Sequence, residues 1–181
     1  MVILSENDYL DVKLNSLIAD YDIETLSNLY QPIIGYAALS IYLTLVAESK
    51  NQKITSVCTH NQILNRLQMS PGDFIEARKK LEGVGLLRTI LESETNIKMY
   101  HYQIYAPKTP YGFFDDTLLY GMLIKALGDV DANRFKRIYI IFHTLTTNSV
   151  CVQSFKGNFF YFLVNFLVKT FAPIFFQKPN I

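Results

Sequence analysis

Apolar positions recur in short periodic runs along the chain, and the clearest set lies between residues 70 and 105. Ser70-Pro71-Gly72-Asp73 has the form of a helix start: a hydroxyl cap, a proline at the first helical position and an acid in the first turn. Phe74, Ala77, Leu81 and Val84 then repeat at helical spacing, with Glu76, Lys79, Lys80 and Glu82 between them. Gly83 and Gly85 predict the stop, because glycine accepts the conformation a C-cap needs. Leu86 to Leu91 reads as a strand, Glu92 to Lys98 as a polar break, and Met99 to Tyr105 as the second strand of a hairpin.

Upstream, Ile23, Leu26 and Leu29 line one side of a short helix capped by Asp20 or Asp22, interrupted at Pro32, which has no N–H to donate. Ile33 to Ala47 is almost wholly apolar but too short to span a membrane, which predicts a buried central helix. Thr59 is expected to cap His60 to Leu67, whose packing stripe is Ile63, Leu64 and Leu67. Joined through Gln68-Met69-Ser70 to the helix from Pro71, it makes a helix-turn-helix. Pro107 and Pro110 mark a linker. Asp116 opens a helix that runs through Leu119, Leu123 and Leu127 to Gly128, and Arg134 to Leu145 reads as one more. Helix, helix, strand, strand is the order of a winged helix. The expected fold is mainly α with a β-hairpin, a winged helix-turn-helix domain over 20–130 followed by C-terminal helices in 131–181. Such domains mostly bind nucleic acid or other proteins and seldom catalyse.

Composition sharpens this picture in two places. Half of the 181 residues are hydrophobic, enough for a real core in one domain with an appendage. Two cysteines make no disulfide framework, and Glu6, Asp8 and Asp11 around the first apolar residues have the wrong sign for an export signal. A reducing, cytoplasmic setting is expected, with the tail raising a peripheral position at a membrane. The net charge of +1 conceals a segregation: residues 1–49 carry seven acids against Lys13 alone, while residues 50–108 carry nine Lys/Arg against five acids. That middle segment is less basic than a dedicated phosphate binder.

The C-terminal tail differs in kind. Nine of the thirteen phenylalanines follow residue 140, and no acid follows Asp131. The apolar run from Phe159 reaches Phe176 only by including Asn165, Lys169, Thr170 and Pro173, at the lower margin for a membrane helix. Three readings compete: a membrane-associated segment, an element packed on the domain, or a sequence out of register with its natural frame. The third is favoured, since loss of every acid with enrichment in Phe, Asn, Lys and Ile is what an AT-rich strand yields out of frame.

Three blocks carry a family resemblance: Leu29-Tyr30-Gln31-Pro32-Ile33-Ile34-Gly35 with Leu39 to Leu45, Lys80-Leu81-Glu82-Gly83-Val84-Gly85-Leu86-Leu87, and Phe113-Phe114-Asp115-Asp116 with Leu118-Leu119. In order and spacing, over residues 20 to 130, they resemble the N-terminal winged-helix domain of the DnaB primosomal proteins of Gram-positive bacteria. These are replication-initiation and membrane-attachment proteins that load the replicative helicase. The resemblance implies a non-catalytic scaffold that self-associates and partners other primosomal proteins and the replicative helicase. Family members continue into further helical domains, so a truncated or frameshifted copy is the expectation here.

Candidate chemistry is sparse. Arg78, Lys79 and Lys80 on the second helix would reach phosphates, and Arg78 a guanine edge, if that helix entered a major groove. The alternative is a solvated face paired with Glu76 and Glu82. Weak, non-specific phosphate contact by Lys79, Lys80, Arg88 and Lys98 is the favoured reading, with Glu92 and Glu94 opposing it at the wing. Tyr100, Tyr102 and Tyr105 are candidates for a self-association surface, against the simpler reading that Tyr102 and Ile104 pack the hairpin on the core. Cys58, His60, His101 and Cys151 lack the spacing of a metal site. Cys58 is read as packing and His60 as helix surface, and Asp115-Asp116 as a cap rather than an acid–base pair. No metal, no cofactor and no enzyme are expected. A sequence-specific transcription regulator using Arg78 to Lys80, or a membrane-tethered adaptor using Phe159 to Phe176, are the alternatives.

Overall fold

The computed structural model describes residues 5–51, 58–94 and 97–148. The chain divides into a compact unit, Met1–Ile140, and a second, Ile141–Ile181. Strand β1 (Tyr9–Leu14) is followed by helix α1 (Asp20–Thr25), a π-helical turn (Leu26–Tyr30), α2 (Gln31–Ile34) and α3 (Tyr36–Asn51). A two-residue strand β2 (Cys58–Thr59) leads into α4 (His60–Leu67) and α5 (Pro71–Gly83), then β3 (Leu87–Glu94) and β4 (Ile97–Ile104). Helices α6 (Pro110–Asp115), α7 (Thr117–Leu127) and α8 (Asp129–Asn148) complete the described chain. The fold is mainly helical with a small sheet. Phe159 to Phe176, and every reading attached to that tail, lie outside the described residues.

The sheet has the order β2-β1-β4-β3, so the wing is more than a hairpin. β1 runs parallel to β4 from Tyr9 against Met99 to Leu14 against Ile104, and the compact unit reaches back before residue 20. β3 and β4 pair from Leu87 against Ile104 to Glu94 against Ile97. The polar break expected at Glu92 to Lys98 is therefore mostly strand. Polar residues are tolerated there because the ladder supplies the backbone hydrogen bonds while Glu92 and Ser93 stay exposed.

Strand alternation gives the sheet two unlike faces. Leu10 and Val12 of β1 with Tyr100, Tyr102 and Ile104 of β4 face inward onto Phe74, Ala77 and Leu81 of α5 and Ala38, Ile41, Tyr42 and Leu45 of α3. Burying each large apolar side chain contributes about 1.5–3 kcal/mol. Tyr9, Asp11 and Lys13 of β1, with Met99, His101 and Gln103 of β4, face outward.

The break expected at Pro32 falls instead at Gly35. Ahead of the proline the helix widens, the Gln31 N–H reaching back five residues to the Leu26 carbonyl, which relaxes the turn the ring would strain. Gly35 has φ +84° and ψ 164°, a region almost reserved for glycine. Its N–H closes α2 on Gln31 at 2.8 Å while its carbonyl accepts from Leu39 at 3.2 Å, so one residue ends a helix and starts the next. Gly128 repeats the device between α7 and α8, which is why α8 begins at Asp129 rather than Arg134.

Capping follows the sequence in part. The Ser70 hydroxyl accepts from the Asp73 N–H at 3.2 Å, and Asp116 Oδ1 accepts from Leu118 and Leu119, so Asp116 is a cap as expected. Pro110 opens α6 instead of lying in a linker, with Thr109 as its cap. α1 is preceded by Ala19, whose N–H donates to the Asp22 carboxylate at 2.8 Å. Thr59 does not cap α4 with its side chain. The first N–H groups of that helix, on His60 and Asn61, donate to the carbonyls of Asp8 and Glu6 at 3.1 and 2.8 Å, so the segment before β1 closes the helix end.

Candidate functional site

Helix α5 is the second helix of the helix-turn-helix and presents Lys79 and Lys80 to solvent. Lys79 is held by Glu76 at 2.7 Å, an exposed pair one turn apart that keeps the Glu76 carboxyl below its usual range. Arg78 belongs to the other side. It shares a face with Phe74, Ala77 and Leu81, its side chain is 17% exposed, and its Nε is shielded from solvent without a hydrogen bond, 3.7 Å from Glu82. The guanidinium lies beside Tyr102 and His60, where it opposes the burial that raises the tyrosine and adds to the burial that lowers the histidine. Arg78 is thus a half-buried cation lining the inward stripe of α5, unlike the exposed Lys79 and Lys80.

The remaining cations divide between layers. Lys98 is half-buried on the same strand face as Tyr100 and Tyr102, toward α5. Arg88 is exposed on the opposite face, in one row with Gln103 and Lys13. Arg88 therefore lies across the sheet from Lys79 and Lys80. Of the five candidate cations, Arg88 stands on the outward face, and Arg78, Lys79, Lys80 and Lys98 stand on the side of α5.

The tyrosines separate in the same way. Tyr100 and Tyr102 are buried, 4% and 0% exposed, and are corrected from surface to core residues. They stack with ring centroids 6.3 Å apart and meet His60 edge-on at 4.9 and 5.7 Å. Tyr105 stays half-buried at the end of β4, its hydroxyl on Gln103 Oε1 at 3.1 Å and its carbonyl accepting from the Tyr42 hydroxyl at 2.8 Å.

His60 is the centre of this network and is fully buried, not a helix-surface residue. Its Nδ1 lies 2.9 Å from the Asp8 carbonyl, which only accepts, so Nδ1 carries the proton. Nε2 then accepts from the Tyr102 hydroxyl at 2.8 Å. Burial lowers the pKa of His60, against the Asp8 hydrogen bond, and the ring is neutral. Cys58 is buried, and desolvation with nearby Glu48 pushes its thiol up to about 11, against Arg66, leaving it inert. Its environment includes the α3–α4 ion pair between Glu48 and Arg66 at 2.8 Å. The packing role read for Cys58 holds, whereas sequence spacing missed the role of His60 because it depends on contacts between distant segments.

On the outward sheet face His101 lies between two carboxylates, Asp11 at 3.3 Å and Glu92 at 3.0 Å. Among the described residues no group of three or more His, Cys, Asp or Glu is arranged to hold a metal ion, and no helix is long and apolar enough to cross a membrane.

The DnaB N-terminal winged helix domain family matches residues 5–156. The replicative helicase loading and DNA remodeling protein DnaB of Staphylococcus aureus is 29% identical over 119 residues, 64% of this chain and 24% of that protein. The crystal structure of primosome protein DnaB, residues 1–300, from Geobacillus stearothermophilus is similar with a TM-score of 0.69 and 30% identity, over 74% of this chain and 51% of that one. The chain thus corresponds to about a quarter of the first relative and half of the second. With its helix-turn-helix, wing and parallel β1, the chain belongs to the DnaB N-terminal winged helix domain family.

Proposed function

We propose that this chain is a non-catalytic module of DNA replication initiation, working in a primosome by protein–protein contact and weak DNA contact during helicase loading. The observation that carries the reading is its family membership, with relatives named as primosome and helicase-loading proteins. The basic groups support the weak character of the DNA contact. Arg78, the residue best suited to read a guanine, is half-buried against the inward stripe, and Lys79 is already paired with Glu76. Contact with about three phosphates by Lys79, Lys80 and Lys98 would give a salt slope of roughly −2.7 on duplex DNA, against about −5 to −9 for six to ten contacts. The partners in this reading are other primosomal proteins, the replicative helicase and further copies of the chain.

The test is DNA binding by the 181-residue chain over a salt series, on single-stranded, random duplex and candidate operator DNA, with the oligomer mass recorded alongside. Weak, salt-dependent binding without sequence preference, by a dimer or larger species, is the expected result. Tight binding to one operator would replace this reading with a transcription regulator. Retention of a replicative helicase on the chain tests the protein-contact half directly, and its absence under all conditions would remove helicase loading.

A further inference from the structure

His101 stands at the middle of β4, the strand between β1 and β3. Its ring reaches both neighbours: Nδ1 is 3.3 Å from Asp11 Oδ2 on β1, and Nε2 is 3.0 Å from Glu92 Oε2 on β3. Both partners are exposed carboxylates, which accept hydrogen bonds and do not donate them when ionised. A neutral imidazole has one N–H, so one of its nitrogens would turn a lone pair onto a carboxylate oxygen. Only the imidazolium, with two N–H groups, serves both strands. His60 is the counterexample in the same molecule, with one acceptor and one donor around a neutral ring.

Lys13 and Arg88 stand one row away on this face, and Glu94 lies two positions beyond Glu92 on β3. Lys13 on β1 and Arg88 on β3 flank Gln103, and Ile90 is directly opposite His101 on β3. On the other side lie Tyr9 and Met99, and β4 itself adds no charge next to the ring on this face. The two acids are the only charged groups within hydrogen-bond reach of His101 among the described residues.

We propose that His101 is a protonation-dependent clasp that fastens β1 to the wing. As an imidazolium it holds Asp11 and Glu92 across β4; on losing its proton it can keep only one of them, and the face gains a unit of negative charge. The hydrogen bond to Glu92, with that to Asp11, raises the pKa of His101 against a partial desolvation, which brings the switch toward neutral pH. The clasp has a route to the helix-turn-helix, because β1 continues directly from the segment whose Glu6 and Asp8 carbonyls close the start of α4.

The experiment is a histidine ring titration of the full chain by NMR from pH 5.5 to 8.5, with His101→Gln identifying the signal among His60, His101 and His143. His101 is expected to titrate above about 6.5, with both ring nitrogens protonated at the acid end. Glu92→Gln and Asp11→Asn should each lower that midpoint. Amide protection of Tyr9 to Leu14, corrected for intrinsic exchange, should fall severalfold as pH rises through the midpoint and show no such step in His101→Gln. A midpoint at or below 6.5, a midpoint indifferent to Glu92→Gln, or a protection step that is absent from the native chain or persists in His101→Gln would each overturn the clasp.

Discussion

Replacing Tyr102 by phenylalanine removes one oxygen from the centre of the domain and keeps the ring. The ring still packs on Phe74 and Tyr100, so little cavity opens beyond the hydroxyl. The change lies in hydrogen bonding. Because the Asp8 carbonyl fixes the proton of His60 on Nδ1, Nε2 must accept, and its donor is the Tyr102 hydroxyl at 2.8 Å. Both residues are fully buried, so no water replaces the lost donor. An orphaned buried acceptor costs about 1–3 kcal/mol. At about 2–4 °C per kcal/mol for a chain of this size, Tyr102→Phe should lower Tm by roughly 2–12 °C. Urea unfolding should show a lower midpoint at unchanged slope. His60→Phe supplies the second arm of a double-mutant cycle. In that background the orphan is already gone, and Tyr102→Phe should cost less than about 0.5 kcal/mol. An equal cost in both backgrounds would refute the pairing, as would a cost below about 0.5 kcal/mol in the native chain.

The two histidines make opposite pH predictions. His60 has a lowered folded pKa, so the unfolded chain takes up its proton first, and stability should fall as pH drops from about 6.5 toward the depressed native value. His101 has a raised folded pKa; its contribution should be complete below about 6.5 and be lost as pH rises through the native value. Tm between pH 5 and 8 for the native chain, His60→Phe and His101→Gln separates them, and a difference that does not vary with pH in either variant would contradict the corresponding assignment. Gly35→Ala meets no neighbouring atom but must hold φ +84°, so it should cost about 1–3 kcal/mol, read by urea unfolding. Arg78→Met should alter stability while leaving DNA affinity within twofold; Lys79→Glu with Lys80→Glu should do the reverse and reduce the salt slope by about two. Loss of DNA binding in folded Arg78→Met would return that residue to the interface.

Much of the fold was legible in the chain. The Ser70 cap, the stripe Phe74, Ala77 and Leu81, and the helix opened by Asp116 are local features whose partners lie within one turn. The burial of Arg78 was legible too, since it stands four residues after Phe74 and three before Leu81, on the stripe that packs inward. β1 was harder to see because it pairs in parallel with a strand some ninety positions away, although Tyr9 to Leu14 alternates apolar and polar residues.

By itself the sequence determined the helix-turn-helix, the caps at Ser70 and Asp116, the hairpin and the family, because periodicity and capping are properties of neighbours along the chain. Tertiary structure decided which polar groups are free to act. It seated His60 in the core, set Tyr102 against it, placed Arg88 across the sheet from Lys79 and Lys80, and brought Asp11 and Glu92 to either side of His101. Those outcomes depend on strand register and on which face each side chain takes. A single residue of slip would exchange the buried and exposed sets.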